Sequence, residues 1–384
     1  MGESPVTVAA QPATTPGPTT GSGDASGASG AAVRRVGVIL GGRSSEREVS
    51  LASGRQVVYN LDRARFEAIP LFMDGNGRLW RLPAKLVVQN TCADVEARLA
   101  ADAERVPLET LPGVIDIAFI ALHGKYGDDG CIQGALELAG VPYTGSGVLA
   151  AALSLDKPMA HRLLAAHGFA VPREVVVAAG DWAADLDGCV ARIAVQVGAP
   201  LVVLPVREGS SIGVGVVADI EDPAALVAAV DEALRWDTAA LVEEFLDGLE
   251  FSVIVLGAPG GGAEALLPTE TISPNPFMTY DDKYMPGRSQ KITPARVGAD
   301  TLARIRREAE RIFVAFGFKG YARLDGFLMP DGRLLFTDPN STSGMAPSSF
   351  MFHQAAEAGL TAGMVIERII EVAAADHRAK RGPL

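Results

Sequence analysis

The chain has 384 residues, of which 48% are hydrophobic, enough at roughly 150 residues per domain for two or three domains with substantial cores. Its 46 acidic residues outnumber the 34 Lys and Arg residues, giving a formal net charge of -12. An acidic chain without a Lys/Arg-rich segment repels phosphate backbones, so the composition argues against nucleic acid as a partner. A phosphate-bearing ligand would have to be bound locally, by backbone amides, a few lysines or a divalent cation.

Neither a membrane span nor a disulfide framework is predicted. No apolar stretch reaches the ~18 to 20 residues that a membrane helix requires, so no membrane partner is expected. Cys92, Cys131 and Cys189 are odd in number and widely spaced, a pattern typical of a protein in the reduced cytoplasm. Residues 1–32 are rich in Ala, Gly, Thr, Ser and Pro and lack the regions of a secretory signal, which predicts a disordered tail.

Strand and helix patterns alternate in the first part of the chain after this tail. An apolar run at 34–40 predicts a buried parallel strand, and Gly41 and Gly42 follow it directly. The other predicted elements are a helix over about 45–61, strands at 66–72 and 115–122, and a helix near 132–139. A Gly-rich loop, 123–130, follows the last of these strands. The alternation indicates an α/β fold with an N-terminal doubly wound parallel-sheet domain at 33–146, whose ligands would lie beyond the carboxyl ends of strands.

The pattern changes near Gly147, where a smaller region, 147–240, is predicted to begin. Its predicted elements are helices at 157–166 and 186–197 and strands at 175–177 and 201–206. The loop 207–214 after the last strand carries small residues and hydroxyls, which let a backbone approach a ligand closely. A third region, 241–384, follows. It is predicted to contain strands at 251–256, 322–329 and 333–337 and helices at 300–316 and 348–358.

A hairpin in the third region carries the most informative spacing. Asp331 and Gly332 lie between two apolar runs and predict a two-residue type I′ turn, which requires positive φ at both positions. If Pro330 faces Arg333, the register of the two strands follows by counting. The resulting pairs, all on one face of the hairpin, are Asp325 with Asp338 and Arg323 with Asn340.

Two aspartates opposed in this way have Cβ atoms ~4.5 to 5.5 Å apart and repel each other unless something neutralises them. A hard divalent cation such as Mg²⁺ would do so and would accept the carboxylate oxygens as ligands. The alternative is a hairpin whose aspartates simply face solvent, and spacing alone leaves both open. Arg323 and Asn340 on the same face favour the metal, because they supply donors for a reacting oxyanion or phosphoryl oxygen.

Several motifs extend this pattern along the chain. They are GGRSSEREVS at 41–50, LHGKYGDDG at 122–130, GSG at 145–147 with LDK at 155–157, EGSSIG at 208–213, Lys283 with Tyr284, and the segment 323–345. With these motifs in this order, the chain resembles the D-alanine:D-alanine ligases of the ATP-grasp superfamily over about residues 36–371. The resemblance implies a two-subdomain ATP-grasp fold after the N-terminal domain, and a homodimer. It also implies ATP-dependent ligation of two D-alanines through an acyl-phosphate, for peptidoglycan precursor synthesis, with one or two Mg²⁺ or possible Mn²⁺.

The resemblance also implies a role for each matching residue. Those implied to be catalytic are Glu46, which would bind the first D-alanine's ammonium, Ser210 in the loop over ATP, and Arg323 and Gly344 around the reacting oxyanion. Those implied to contact the substrate are His123, Tyr284 and Ser349. Those implied to bind the nucleotide are Lys157, Glu208, Ser211, Glu243, Glu250 and Lys283. The implied metal ligands are Asp325, Asp338 and Asn340. A polar stretch at 274–294 predicts a lid, and the remaining histidines, His161, His167, His353 and His377, are interpreted as structural or exposed.

Four residues depart from the family pattern. Two of them, Thr337 and Ser343, stand where asparagine and proline are usual around the Asp338 motif. Leu204 stands where the family has a lysine that contacts the nucleotide, and the loss of that charge predicts an ATP affinity about ten- to a hundredfold weaker. Asp338 replaces a glutamate, and its shorter side chain bridges two cations less readily, which leaves one or two Mg²⁺ open. These departures motivate an alternative, a nucleotide-binding relative with impaired turnover that acts as a regulatory or binding protein. A ligase for another small amino acid is a further alternative.

Overall fold

The structure is a computed structural model that describes residues 33–219, 222–272 and 289–380, without the side chains of 379 and 380. The predicted tail at 1–32 and most of the predicted lid, with Lys283 and Tyr284, lie outside the described residues. Within the described ranges, no helix combines the length and the hydropathy of a membrane span.

The first sheet is built mainly from the N-terminal region and has strand order β4-β3-β2-β1-β5. Its strands are β1 (Arg34–Gly41), β2 (Phe66–Met73), β3 (Leu79–Arg81), β4 (Glu104–Arg105) and β5 (Ile117–Ile120). Strand β1 pairs in parallel with β2 and β5, whereas β3 and β4 form an antiparallel edge. The accompanying helices are α1 (Arg47–Asn60), α2 (Ala84–Val87), α3 (Cys92–Glu96), α4 (Leu99–Asp102), α5 (Leu111–Val114) and α6 (Cys131–Ala139).

Both faces of β1 are buried, as a doubly wound sheet requires. Val36, Val38 and Leu40 enter one hydrophobic core, and Ile39 enters another on the opposite face, because successive side chains of a strand point to opposite sides. At the end of β1, Gly41 adopts a φ of +83, and a Cβ there would lie 2.8 Å from the carbonyl oxygen of Met73. Glycine therefore permits the turn that leads the chain from β1 towards α1.

The second sheet is antiparallel, with order β6-β9-β7-β8. Its strands are β6 (Glu174–Ala178), β7 (Leu201–Pro205), β8 (Gly215–Val217) and β9 (Ala239–Glu244). The helices of this part of the chain are α7 (Val148–Leu155), α8 (Lys157–Ala166), α9 (Ala179–Ala184), α10 (Leu186–Gln196) and α11 (Pro223–Leu234). Asp156 begins α8 by accepting a hydrogen bond from the backbone amide of Met159, which fixes the start of the helix that carries Lys157.

The third sheet is antiparallel, with order β13-β12-β10-β14-β15 and β11 paired to β10. Its strands are β10 (Leu249–Gly257), β11 (Ala263–Ala265), β12 (Thr269–Ile272), β13 (Gln290–Ile292), β14 (Tyr321–Leu328) and β15 (Leu334–Asn340). The remaining described helices are α12 (Ala299–Ala315), α13 (Phe350–Glu357) and α14 (Ala362–Lys380). Helix α14 buries Ile366 and Ile370 in the same core as Val36 of β1 and Leu256 of β10, so it packs the first and third sheets together. The domain boundaries at 146 and 240 stay predictions.

The hairpin between β14 and β15 pairs the predicted residues through a different turn. Arg323 faces Asn340 and Asp325 faces Asp338, as predicted. The type I′ turn is wrong, because Gly332 has a φ of +84 whereas Asp331 is not among the residues with positive φ. The amide of Gly332 donates to the carbonyl of Met329 at 2.9 Å, and Met329 and Arg333 close a three-residue loop that begins with a proline. Proline fixes a negative φ and suits the first position of such a loop.

A β-bulge restores the predicted register beyond this turn. Near the loop, Leu328 faces Leu334, which is one residue out of the predicted register. The pairing then passes over Thr337, so that Gly326 faces Phe336 while Asp325 faces Asp338. One extra residue on β15 therefore compensates for one extra residue in the loop. The alignment of the two aspartates depends on this bulge.

Candidate active site

Two adjoining pockets contain all the predicted site residues that the structure describes. The first pocket lies where the loops after β1 and β5 meet the third sheet. Its predicted residues are Glu46, His123, Arg323, Asp325, Asp338, Asn340, Gly344 and Ser349. The second pocket lies between the second and third sheets, and its predicted residues are Lys157, Glu208, Ser211, Glu243 and Glu250. Ser210, Glu250, Asp325 and Asp338 line both pockets, so the two form one continuous cleft.

Asp325 is the most heavily bonded member of the acidic pair. Its carboxylate accepts hydrogen bonds from Ser252 Oγ at 2.6 Å and from Asn340 Nδ2 at 3.3 Å, and Arg323 Nη2 lies 2.9 Å from Oδ2. Arg323 therefore supplies positive charge beside the paired aspartates, and a cation is not the sole means of offsetting their repulsion. Part of the neutralisation that the sequence argument assigned to a metal therefore comes from the protein itself.

The acidic pair nevertheless has the donor set that a hard divalent cation prefers. Asp325 and Asp338 present carboxylate oxygens to both pockets, and Asn340 carries an amide on the same face of the hairpin. Oxygen ligands from one or two carboxylates, completed by water and phosphate oxygens, are typical of Mg²⁺ sites. These three residues therefore fit a divalent cation at the junction of the pockets.

The loop after β7 has a backbone suited to anions. Ser210 and Ser211 have φ values of 53 and 58, a left-handed conformation that costs a non-glycine residue roughly 1 to 2 kcal/mol. Such strain is concentrated at ligand clamps, and a turn of this kind can direct successive amides towards a bound anion. The ammonium of Lys157 donates to the carbonyl of Glu208 at 2.6 Å, which holds a positive charge at the start of the loop.

The side chain of Glu208 holds this loop against the N-terminal region. Its carboxylate lies 2.5 Å from Lys125 Nζ and accepts a hydrogen bond from Ser45 Oγ at 2.8 Å. Lys125 also donates to the carbonyl of Trp236 at 2.8 Å. Glu208 was predicted to bind the nucleotide, and its described contacts give it a bracing role within the protein. Its contact with a nucleotide stays a prediction.

Glu46 is the N-cap residue of α1 and lines the first pocket, with 8% of its surface exposed. A Cβ on Gly209 would lie 2.3 Å from Glu46 Oε1, so a larger residue there would push this carboxylate from its present position. The Glu46 side chain makes no capping hydrogen bond at the helix start. The contact between loop and carboxylate instead joins the two halves of the cleft.

Asp128 is a pocket residue to which the sequence analysis gave no role. Burial, together with the nearby charge of Glu46, raises the pKa of Asp128 to about 8. Its Oδ2 accepts a hydrogen bond from the amide of Gly124 at 2.9 Å. The Gly-Asp-Asp-Gly motif marked the loop, but a motif alone does not reveal which carboxyl turns inward.

His123 lies buried at the end of β5 and is neutral near pH 7. Burial and the charge of Arg323 lower its pKa to about 4. Its Nε2 lies 2.9 Å from Ser53 Oγ, and its backbone amide donates to Ser50 Oγ at 2.9 Å. Helix α1 therefore positions this side chain in the first pocket.

We expect acid to destabilise the protein partly through His123. The unfolded state takes up the proton near the ordinary pKa of 6.5, whereas the folded state takes it up only near pH 4. The free energy of unfolding should therefore fall as the pH is lowered through this interval. In urea unfolding curves at pH 7 and pH 4.5, His123→Gln should lose less stability between the two values than the wild type. The exposed His167→Gln serves as control, and an unchanged difference for His123→Gln would contradict the assignment.

A second titratable cluster lies beside the second pocket around His161, which the sequence leaves as structural or exposed and which the structure places in the interior. His161 is 1% exposed; its Nδ1 lies 2.6 Å from Glu174 Oε2 and 3.5 Å from Glu243 Oε1. Burial lowers the pKa of His161, but the hydrogen bond to Glu174 and the charge of Glu243 outweigh it and raise the pKa overall. One ligand atom from each residue lies within 4.8 Å of the others, so the cluster could also hold a metal ion.

Comparison with known proteins identifies the family. The description "D-ala D-ala ligase C-terminus" matches residues 163–371, and "D-ala D-ala ligase N-terminus" matches residues 35–146. D-alanine–D-alanine ligase A of Mesorhizobium japonicum is 38% identical over 366 residues, which cover 90% of this chain and 99% of the relative. The chain belongs to the D-alanine–D-alanine ligase family. It is therefore a ligase. The D-alanine–D-alanine ligase of Citrifermentans bemidjiense is 35% identical over 340 residues, covering 88% and 96% of the two chains.

Solved structures confirm the fold of this family member. The VanG D-Ala:D-Ser ligase from Enterococcus faecalis superposes with a TM-score of 0.77 at 29% identity, covering 89% of this chain and 99% of that one. The D-alanine–D-alanine ligase from Coxiella burnetii gives a TM-score of 0.77 at 24% identity, covering 91% and 97%. The predicted α/β architecture with an ATP-grasp fold is thereby confirmed.

Proposed function

We propose that the protein joins two D-alanines to D-alanyl-D-alanine, using ATP and a divalent cation, for peptidoglycan precursor synthesis. Family membership supports the reaction class. The observation that carries the proposal for this chain is the face of the hairpin shared by Arg323, Asp325, Asp338 and Asn340, which opens to both pockets. One pocket can hold a nucleotide and the other the amino acids, with the charged face between them.

In the first step, a carboxylate oxygen of the first D-alanine attacks the γ-phosphorus of ATP, and the bond to the ADP oxygen breaks. Two anions must approach each other, so the protein's contribution is positioning and charge neutralisation. Lys157 and the amides around Ser210 and Ser211 would bind the phosphates, and Glu46 would bind the ammonium of this D-alanine. One or two Mg²⁺, or Mn²⁺, on Asp325, Asp338 and Asn340 would neutralise phosphate charge when bound.

In the second step, the amine of the second D-alanine attacks the acyl-phosphate carbonyl and a C–N bond forms. The C–O bond to the phosphate breaks, and the phosphate leaves with the proton lost by the amine. The carbonyl oxygen gains negative charge, and Arg323 together with the amide of Gly344 would stabilise it. Ser349 would bind the second carboxylate, and His123 would contact substrate as a neutral imidazole. Lys283 and Tyr284, outside the described residues, would close over the cleft and keep water from the acyl-phosphate.

The nucleotide's base and ribose would lie in the second pocket against Glu243 and Glu250, whose carboxylates can accept hydrogen bonds. Leu204 lines the same pocket and cannot donate to a phosphate, so weaker ATP binding is expected. We further propose a homodimer, and a cytoplasmic location, which the free cysteines Cys92, Cys131 and Cys189 support.

Product analysis by mass spectrometry tests the proposal. Incubation with D-alanine, ATP and Mg²⁺ should give D-alanyl-D-alanine and one ADP for each dipeptide. A matched panel containing D-serine is included, since a solved relative is a D-Ala:D-Ser ligase. Dominant formation of a mixed dipeptide would reassign the second substrate. No ADP release at saturating ATP would contradict the proposal and favour the binding or regulatory alternative.

A further inference from the structure

We propose that His161 is a positioning residue that links the nucleotide pocket to the metal-binding hairpin, contacting the Glu174–Glu243 pair with one ring nitrogen and the bulge at Thr337 with the other. This inference rests on the proposed function, because it concerns the same nucleotide and cation sites. It assigns a role to a buried histidine from its contacts on both sides of the ring.

The first arm of this link is the contact that His161 Nδ1 makes with Glu174 and Glu243. Glu174 and Glu243 are direct partners on β6 and β9, and two carboxylates at such a position repel each other. His161 Nδ1 lies 2.6 Å from Glu174 Oε2 and 3.5 Å from Glu243 Oε1. A positively charged imidazole offsets part of their repulsion. Burial raises the pKa of Glu243 to about 7, and the charge of His161 opposes that rise and so favours the ionised carboxylate. The Oε1 atom of Glu243 is buried without a hydrogen-bond partner, which leaves it able to accept one.

The second arm is the contact that His161 Nε2 makes with Thr337. Nε2 lies 2.8 Å from the carbonyl oxygen of Thr337, and a carbonyl can only accept, so Nε2 carries a proton. Thr337 is the residue that the pairing of β14 and β15 passes over. Its neighbour Asp338 faces Asp325 only because of that bulge, and a one-residue slip would turn a strand's side chains to the other face. His161 therefore fixes the bulge from outside the sheet.

The two arms share one rigid support. His161 lies four residues after Lys157 on α8, so both project from the same face of the helix, Lys157 towards the loop after β7 and His161 towards the two sheets. A metal ion bound by His161, Glu174 and Glu243 would have to displace the proton on Nδ1, which already offsets part of the negative charge of the two carboxylates. The imidazolium accounts for both contacts without such an ion.

Two amide variants separate the arms. The nitrogen of Gln at 161 can occupy the position of Nε2 and keep the bond to Thr337, but it removes the charge beside Glu243. The nitrogen of Asn corresponds to Nδ1, so Asn loses the bond to Thr337 as well as the charge. His167→Gln and His167→Asn, at an exposed histidine just beyond the same helix, are matched controls.

Two measurements on the full-length protein test the two contacts of His161 separately. Calorimetric titration with ADP in EDTA reports the nucleotide pocket without a cation, and the Mg²⁺ concentration for half-maximal activity at saturating ATP reports the hairpin. We expect both His161 variants to bind ADP at least about tenfold more weakly. Only His161→Asn should also require at least about threefold more Mg²⁺, since a weakened hydrogen bond of ~0.7 kcal/mol corresponds to about that factor.

The outcome distinguishes this inference from the proposed function. If the wild type makes no dipeptide, the proposed function fails, while the ADP titration still tests the first arm. Unchanged ADP binding in both variants would overturn the positioning role. An equal loss of thermal stability, ADP binding and kcat in both would mean that His161 is only structural, and would also overturn it.

Discussion

Asp325→Asn should lower kcat for D-alanine-dependent ADP release at least about a hundredfold, comparable to removing one preorganised polar group from an active site. Asparagine has nearly the same volume and can still accept from Ser252, which now bonds Asp325 at 2.6 Å, so the fold should persist. What is lost is a carboxylate at the junction of the two pockets and the ion pair that orients Arg323. The measurement is a coupled ADP assay, with product identity checked by mass spectrometry.

The hairpin supplies its own control for this experiment. Asp331 also pairs with an arginine, Arg333, at 2.7 Å, but it lies in the exposed turn outside both pockets. Asp331→Asn should therefore leave kcat within about twofold of the wild type, as expected for a surface ion pair. If Asp325→Asn also retained full activity with an intact fold, Asp325 would be excluded as a metal ligand.

The second large effect should be a lower KM for ATP. Leu204→Lys is expected to lower the KM for ATP about tenfold with kcat little changed, because a lysine would add one charge-assisted contact to the phosphates. Leu204 lines the second pocket from β7 and packs against Val206 and Leu241, so a lysine stem has apolar surface to follow while its ammonium reaches the pocket. Initial rates at varied ATP and saturating D-alanine measure the effect.

Leu204→Met is the matched control, since it conserves volume without adding charge, and it should leave the KM for ATP near the wild-type value. A folded Leu204→Lys protein with an unchanged KM would show that this side chain does not approach the phosphates. In that case the departure from the family's lysine would have little bearing on activity.

The hairpin illustrates how far local sequence reasoning reached. The pairs Asp325 with Asp338 and Arg323 with Asn340 were predicted from a two-residue turn, and the structure reaches the same pairs through a three-residue loop and a bulge. A glycine with positive φ suits either turn, so Gly332 could not distinguish them. The proline before Asp331 was the available signal for the longer loop, whereas the bulge at Thr337 had none.

The partners of the charged side chains were only partly accessible to such reasoning. Arg323 and Asp325 are two residues apart on one strand face, so their ion pair was within reach of the spacing argument, which assigned the neutralising charge to a metal instead. Glu208 was expected at a nucleotide and contacts Lys125, far away in the chain. Such contacts depend on how separate elements pack, which no periodicity encodes.

The sequence by itself determined the family, many of the strands and helices and most of the candidate residues that line the cleft, because apolar periodicity and motif order are local properties of the chain. Only the tertiary structure decided which groups are buried together. The raised pKa of Asp128, the lowered pKa of His123 and the central position of His161 all follow from burial beside particular charges. Desolvation and close Coulomb contacts exist only after distant segments have packed, and therefore cannot be derived from spacing along the chain.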